Sequence, residues 1–160
     1  MSANDEFQAQ FALHKDTVFR IAWSYSGNSA DAEDISQEVF LKLFHRAGSF
    51  PSAEQTKAWL IRVTINQSKD HLRKRWLRTL FLPEDAVASE TDMDSRNDVL
   101  DAVLSLPVNY RMVIHLYYYE RYPVREIAGI LSCSETAVQT RLQRGRAMLK
   151  EKLGEDFDDE

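Results

Sequence analysis

Cysteine is almost missing from this sequence: of 160 residues only Cys133 is one, so no intramolecular disulfide can form. That cysteine falls in a turn between two helical segments, at a position that is usually apolar, and reads as packed rather than nucleophilic. The four histidines, His14, His45, His71 and His115, are scattered without metal-ligand spacing, and each reads as a surface or satisfied core residue. The 5 glycines form no phosphate-cradling loop, and the 4 prolines leave long stretches unbroken. No run of about 18 apolar residues exists to cross a bilayer. The first residues, MSANDEFQAQF, are acidic and lack the apolar centre of a secretory signal. These absences leave no catalytic constellation and no cofactor to expect, and they point to the cytoplasm.

The net charge of −5 argues against a nucleic-acid partner until it is divided along the chain. Residues 51–80 carry 7 bases and 2 acids, and residues 106–150 carry 7 bases and 3 acids. Between them, residues 81–105 carry 7 acids and 1 base. Two basic segments separated by an acidic one suit two contacts with a polyanion; solvated helix faces would give the same blocks.

Apolar spacing is helical throughout. Phe7, Phe11, Val18, Ile21, Ala22 and Tyr25 define one amphipathic helix. After the turn Ser26-Gly27-Asn28-Ser29, capped by Ser29 or Asp31, a second helix carries Ile35, Val39, Phe40, Leu43 and Phe44, and Pro51 forbids its continuation. A third runs from Ser52 or Lys57 to about Arg78. Residues 82–97, acidic and poor in large apolar side chains, read as a flexible linker. Beyond it come short helices around Val99–Leu104 and Val113–Tyr117, one opened by Pro123, and a last helix from about Glu135 to Leu153. The expected fold is all-α: two small helical domains, 1–80 and 98–153, joined by the flexible acidic linker 81–97, with the acidic tail 154–160 disordered.

The sharpest local signal is VREIAGILSCSETAVQTRLQRGRAMLK, residues 124–150. Ile127, Ala128 and Leu131 face a core, Ser132-Cys133-Ser134 makes a short turn with Ser134 as N-cap, and Val138 and Leu142 anchor a second helix. That helix shows Gln139, Thr140, Gln143 and Arg144 on its opposite face, with Arg141, Arg146 and Lys150 nearby. Amides and hydroxyls for base edges, with cations for phosphates, are what a helix-turn-helix recognition helix presents to a major groove; a solvated helical hairpin is the plainer alternative.

Three segments in order resemble the extracytoplasmic-function (ECF) sigma factors of RNA polymerase: DAEDISQEVFLKLF (31–44), KAWLIRVTINQSKDHLRKR (57–75) and the unit from Leu100 to Leu153 containing LPVNYRMVIHLYYYE and the helix-turn-helix. The resemblance covers most of the chain. It implies that Asp31, Asp34, Gln37, Glu38 and Lys42 lie on the surface that docks on the β′ coiled coil of core polymerase. It implies that Arg62, Asn66, Lys69, Arg73, Lys74 and Arg75, with Phe50 in the preceding loop, meet −10 promoter DNA, and that Gln139, Thr140, Arg141, Gln143, Arg144 and Arg146 meet the −35 element. Its implied partners are core polymerase (β′ and β), promoter DNA and a cognate anti-sigma factor, and its implied role is promoter choice and assistance in melting, not catalysis. Four positions depart from the family pattern: Arg121 and Ser132 stand where Gly is common, Ala137 where Thr is, and Gln139 where a base is. A conventional helix-turn-helix regulator would explain residues 99–153 but not the basic helix 57–78, and such regulators usually dimerise. A sigma-like adaptor that melts no DNA would lack the need for the Arg and Asn residues of that helix.

Overall fold

The computed structural model describes residues 3–46, 50–81 and 98–154, and the chain separates into two compact units, Met1–Thr91 and Asp92–Glu160. The expected linker, apart from Phe81, and the expected tail, apart from Gly154, lie outside the described residues. Among those described, every element is helical.

The first unit is a three-helix arrangement of α1 (Ala3–Ser26), α2 (Ser29–His45) and α3 (Ala53–Phe81), each packed on the other two. Its core joins Val18 and Ala22 of α1, Ala32, Ile35, Val39 and Phe40 of α2, and Leu60 of α3, with Phe7, Phe19, Trp23, Leu43, Trp59 and Val63 packed around them. Burying side chains of this size contributes roughly 1.5–3 kcal/mol each before conformational entropy is subtracted. Thr64 and Ser68 are fully buried on α3, where small residues let helices approach. Their hydroxyls donate to the carbonyls of Leu60 (2.6 Å) and Thr64 (2.7 Å), so neither is left unsatisfied. His14, also buried, differs from the satisfied histidine expected: its Nε2 has no partner. Burial, aided by the charge of Lys57, lowers its pKa and keeps the ring neutral.

The cap of α2 is neither Ser29 nor Asp31 but Asn28, whose backbone is extended and whose Oδ1 accepts from the Asp31 amide at 2.8 Å. Gly27, at φ 83°, reverses the chain after α1 so that Asn28 can take that place. Phe44 is not core as its spacing implied. It is half exposed, edge-on to Phe7 at 5.2 Å, and Leu41 beside it is equally exposed.

The second unit contains α4 (Asp98–Leu104), α5 (Val108–Ile114), α6 (Val124–Leu131) and α7 (Glu135–Leu153). A π-helical turn, His115–Tyr119, continues α5 directly. Leu106, Met112, Val113, Ile114, Leu116, Ile127, Ala128, Ile130, Val138, Leu142 and Leu149 form its interior. At Gly145, α7 lies tight against α5: a Cβ there would lie 3.1 Å from Ile114 Cγ1. Pro107 and Pro123 stand at the N-caps of α5 and α6, where a missing N–H costs nothing.

Two non-glycine residues of this unit adopt positive φ, Arg121 at 62° and Ser132 at 56°, the two positions at which the resemblance drawn from the sequence implies Gly. The left-handed conformation costs an L-residue about 1–2 kcal/mol, partly offset because Gly loses more backbone entropy on folding. Arg121→Gly is therefore expected to stabilise the unit by about 0.5–1 kcal/mol, whereas Arg121→Ala gains nothing; urea midpoints of the two variants distinguish them.

Candidate nucleic-acid and polymerase interfaces

In the second unit α6 and α7 form the helix-turn-helix. Ser132 closes α6 in the left-handed conformation, its amide and that of Cys133 both reaching the Ala128 carbonyl. Ser134 then caps α7, its Oγ accepting from the Ala137 amide at 3.0 Å. Val138, Leu142, Gly145 and Leu149 are buried along one side of α7. At about 100° per residue the opposite arc carries Thr136, Thr140, Gln143, Arg144 and Ala147. Gln143 and Arg144 are exposed and Thr140 is half-buried. Gln139 and Arg146 lie on one flank of that arc and Arg141 on the other. Arg146 is held: its Nε donates to the Tyr118 hydroxyl, and its guanidinium lies 5.4 Å from the Tyr118 ring and 5.6 Å from that of Tyr117. Arg141 points back toward the turn, its Nη1 3.7 Å from Cys133 Sγ. Arg144 is thus the exposed cation on the arc opposite the buried side of α7.

In the first unit, Arg62, Asn66, Lys69 and Arg73 recur at spacings of four, three and four on α3, and all four are exposed. Asp70 accepts from Arg73 (2.8 Å) and lies 3.2 Å from Lys74 Nζ, pairs that hold its carboxyl below the ordinary carboxylate range. Exposed pairs of this kind are weak enough to yield to a phosphate. Arg75, expected with them on the DNA side, turns the other way and pairs with Asp31 of α2, itself expected on the polymerase side. Both are less than a fifth exposed. Asp31 also meets His71 Nε2 at 2.9 Å and accepts from Asn28 Nδ2 at 2.7 Å. Burial alone would raise the pKa of this carboxyl; the bonds from Asn28 and His71 and the charge of Arg75 outweigh it and lower it below 3.8.

On α2, Asp34, Gln37 and Glu38 are exposed, and Lys42 Nζ donates to Gln67 Oε1 of α3 at 2.6 Å. Gln37 borders a groove of about 790 Å³ between α1 and α2, whose apolar walls include Phe11, Phe40, Leu41 and Phe44. Sequence spacing misses this apolar strip, because it sets Phe11, Phe40 and Phe44 on inward faces and leaves Leu41 out of the stripe. Phe50 is half-buried, its ring 5.5 Å from Trp59 and 3.7 Å beneath the Arg46 guanidinium. No set of three or more His, Cys, Asp and Glu side chains among the described residues could hold a metal ion.

Residues 11–78 match the family model for sigma-70 region 2, and residues 96–149 match that for sigma-70 region 4. The ECF RNA polymerase sigma factor SigW of Bacillus subtilis is 31% identical, over 93% of this chain and 89% of the relative. SigE of Mycolicibacterium smegmatis is 34% identical over 88% of this chain, which spans 58% of that relative. Among solved structures, the sigma factor RpoE from Bartonella quintana, in complex with the anti-sigma factor NepR, superposes with a TM-score of 0.71 at 23% identity, covering 95% of this chain and 99% of that one. CnrH, in complex with the cytosolic domain of CnrY, gives a TM-score of 0.68 at 24% identity, with 96% and 91% covered.

Proposed function

The chain belongs to the ECF sigma factors of RNA polymerase, and on that premise we propose how its two units divide the work of directing polymerase to promoters. α7 reads the −35 element in the major groove, with Arg144, Gln143 and Thr140 at base edges, Gln139 at the margin, and Arg141 and Arg146 at flanking phosphates. α3 meets −10 DNA through Arg62, Asn66, Lys69, Arg73 and Lys74. The segment before it, including Phe50, receives a base extruded during melting, a step that costs a few kcal/mol and needs a compensating pocket. α2 docks on core polymerase through Asp34, Gln37 and Glu38, supplemented by the exposed Leu41 and Phe44. Asp31 and Arg75 act differently from their neighbours: they hold α2 to α3, and so set the two contact faces relative to each other.

The observation that carries this reading is the separation of faces on α3. Arg62, Asn66, Lys69 and Arg73 are exposed along one stripe, while Arg75, on the opposite side, is consumed by Asp31. The nucleotidyl transfer belongs to the polymerase, and this chain contributes no catalytic group. It acts in the cytoplasm, where polymerase and promoters are; no helix among the described residues is long and apolar enough to cross a membrane. An anti-sigma factor, as NepR is to the Bartonella quintana relative, regulates it by covering these faces.

The polymerase contact is tested directly. Asp34→Arg combined with Gln37→Ala reverses charge and removes an amide from an exposed face without touching the core. Core polymerase affinity is expected to fall at least about tenfold, equivalent to about 1.4 kcal/mol, with an unchanged circular dichroism spectrum. Wild-type affinity in this variant would move the docking surface off α2.

A further inference from the structure

The exposed stripe of α3 does not stop at Arg73. Continuing the spacing of four and three brings Trp76 and then Leu80 onto the same arc, and they are 62% and 59% exposed. Trp23 and Trp59, the other two tryptophans, are both largely covered. An indole left in solvent, in line with Lys69 and Arg73, has the composition of surfaces that bind single-stranded nucleic acid: cations along the backbone and an aromatic face for a base. From Asn66 to Trp76 is ten residues, about 15 Å of helix axis. That is about the length of four stacked nucleotides. The platform is also fixed in place. Arg75, the preceding residue, is tied to Asp31, and His71 is tied to the same carboxylate, so the turn of α3 that carries Trp76 is anchored on its far side.

We propose that Trp76 contacts single-stranded promoter DNA, stacking on an unpaired base next to the −10 contacts of α3. The inference deepens the assignment of α3 to −10 DNA and rests on it.

The test assembles the full chain with core polymerase and measures binding to two labelled promoter fragments by fluorescence anisotropy. One fragment is forked, with a single-stranded non-template −10 segment; the other is duplex throughout. Trp76→Ala is expected to weaken binding to the forked fragment about tenfold, within the range that one stacked base contributes. Trp76→Phe should retain most of the affinity, and duplex binding and core polymerase affinity should be unchanged. Undiminished forked binding by Trp76→Ala overturns the proposal. So does an equal loss on both fragments, which would make Trp76 a backbone contact, and so does a parallel loss of core affinity, which would make it a protein contact. Lys69→Ala with Arg73→Ala separates the two levels. If this pair binds forked DNA normally, the −10 assignment of α3 fails and Trp76 with it. If the pair is weakened while Trp76→Ala is not, only the stacking role fails.

Discussion

Asp31→Ala is expected to lower the stability of the first unit by about 2–3 kcal/mol. Removing one member of a buried ion pair costs roughly 3–5 kcal/mol because the other charge is left desolvated, and the figure is reduced here because Asp31 and Arg75 each keep some exposure. The loss also strips His71 of its partner and leaves the Asn28 cap without its return bond. All three tryptophans, Trp23, Trp59 and Trp76, fall in this unit, so tryptophan fluorescence during urea unfolding reports on it alone. The same cluster sets an acid limb. Because the folded carboxyl titrates below 3.8, the unfolded chain takes up the proton first as pH falls. The stabilisation is therefore complete above that value and is lost as pH drops through the folded pKa. Asp31→Ala should abolish that part of the pH dependence. A variant within about 0.5 kcal/mol of wild type, with an unaltered acid limb, would reduce the cluster to a surface pair.

The second large effect is expected at the −35 element. Arg144 is exposed within the outward arc of α7, while Arg146 is drawn to one flank by Tyr117 and Tyr118. An arginine bidentate to guanine contributes about 1–3 kcal/mol of discrimination, whereas a phosphate contact strengthens binding to every sequence alike. Arg144→Ala should therefore relax preference at one or two −35 positions. Arg146→Ala should weaken all promoters uniformly and flatten the salt dependence by about one counterion. Selection from a library with a randomised −35 element measures both. An unchanged consensus with Arg144→Ala, or an altered one with Arg146→Ala, would mean that α7 lies in the groove at a different rotation.

The helices and the helix-turn-helix were legible in the sequence because their signals are local. The spacing of Ile127, Val138 and Leu142 and the serine at 134 determine α6, the turn and the start of α7 within a few residues. What escaped depends on partners far along the chain or on backbone angles. Arg73, Lys74 and Arg75 are three adjacent cations with nothing to distinguish them in sequence. Successive steps of about 100° send the third inward to a carboxylate 44 residues away. Asn28, Ser29 and Asp31 are all good caps by composition, and only the extended backbone at 28 selects one. Phe44 fits an amphipathic pattern whose apolar arc is wider than the core that α1 and α3 provide, and Leu41 falls outside that arc. The π turn at 115–119 has no sequence signature, whereas the strain at Arg121 was foreshadowed by the departure from glycine there.

The most direct measurement of the central claim is run-off transcription by purified core polymerase from a genomic promoter pool, with and without this chain. Core polymerase alone should give no defined start sites. Adding the chain should produce a limited set of starts sharing two upstream sequence blocks, with the block nearer the start insensitive to Arg144→Ala and the farther one altered by it. A chain that binds core polymerase yet yields no new start sites would contradict the account.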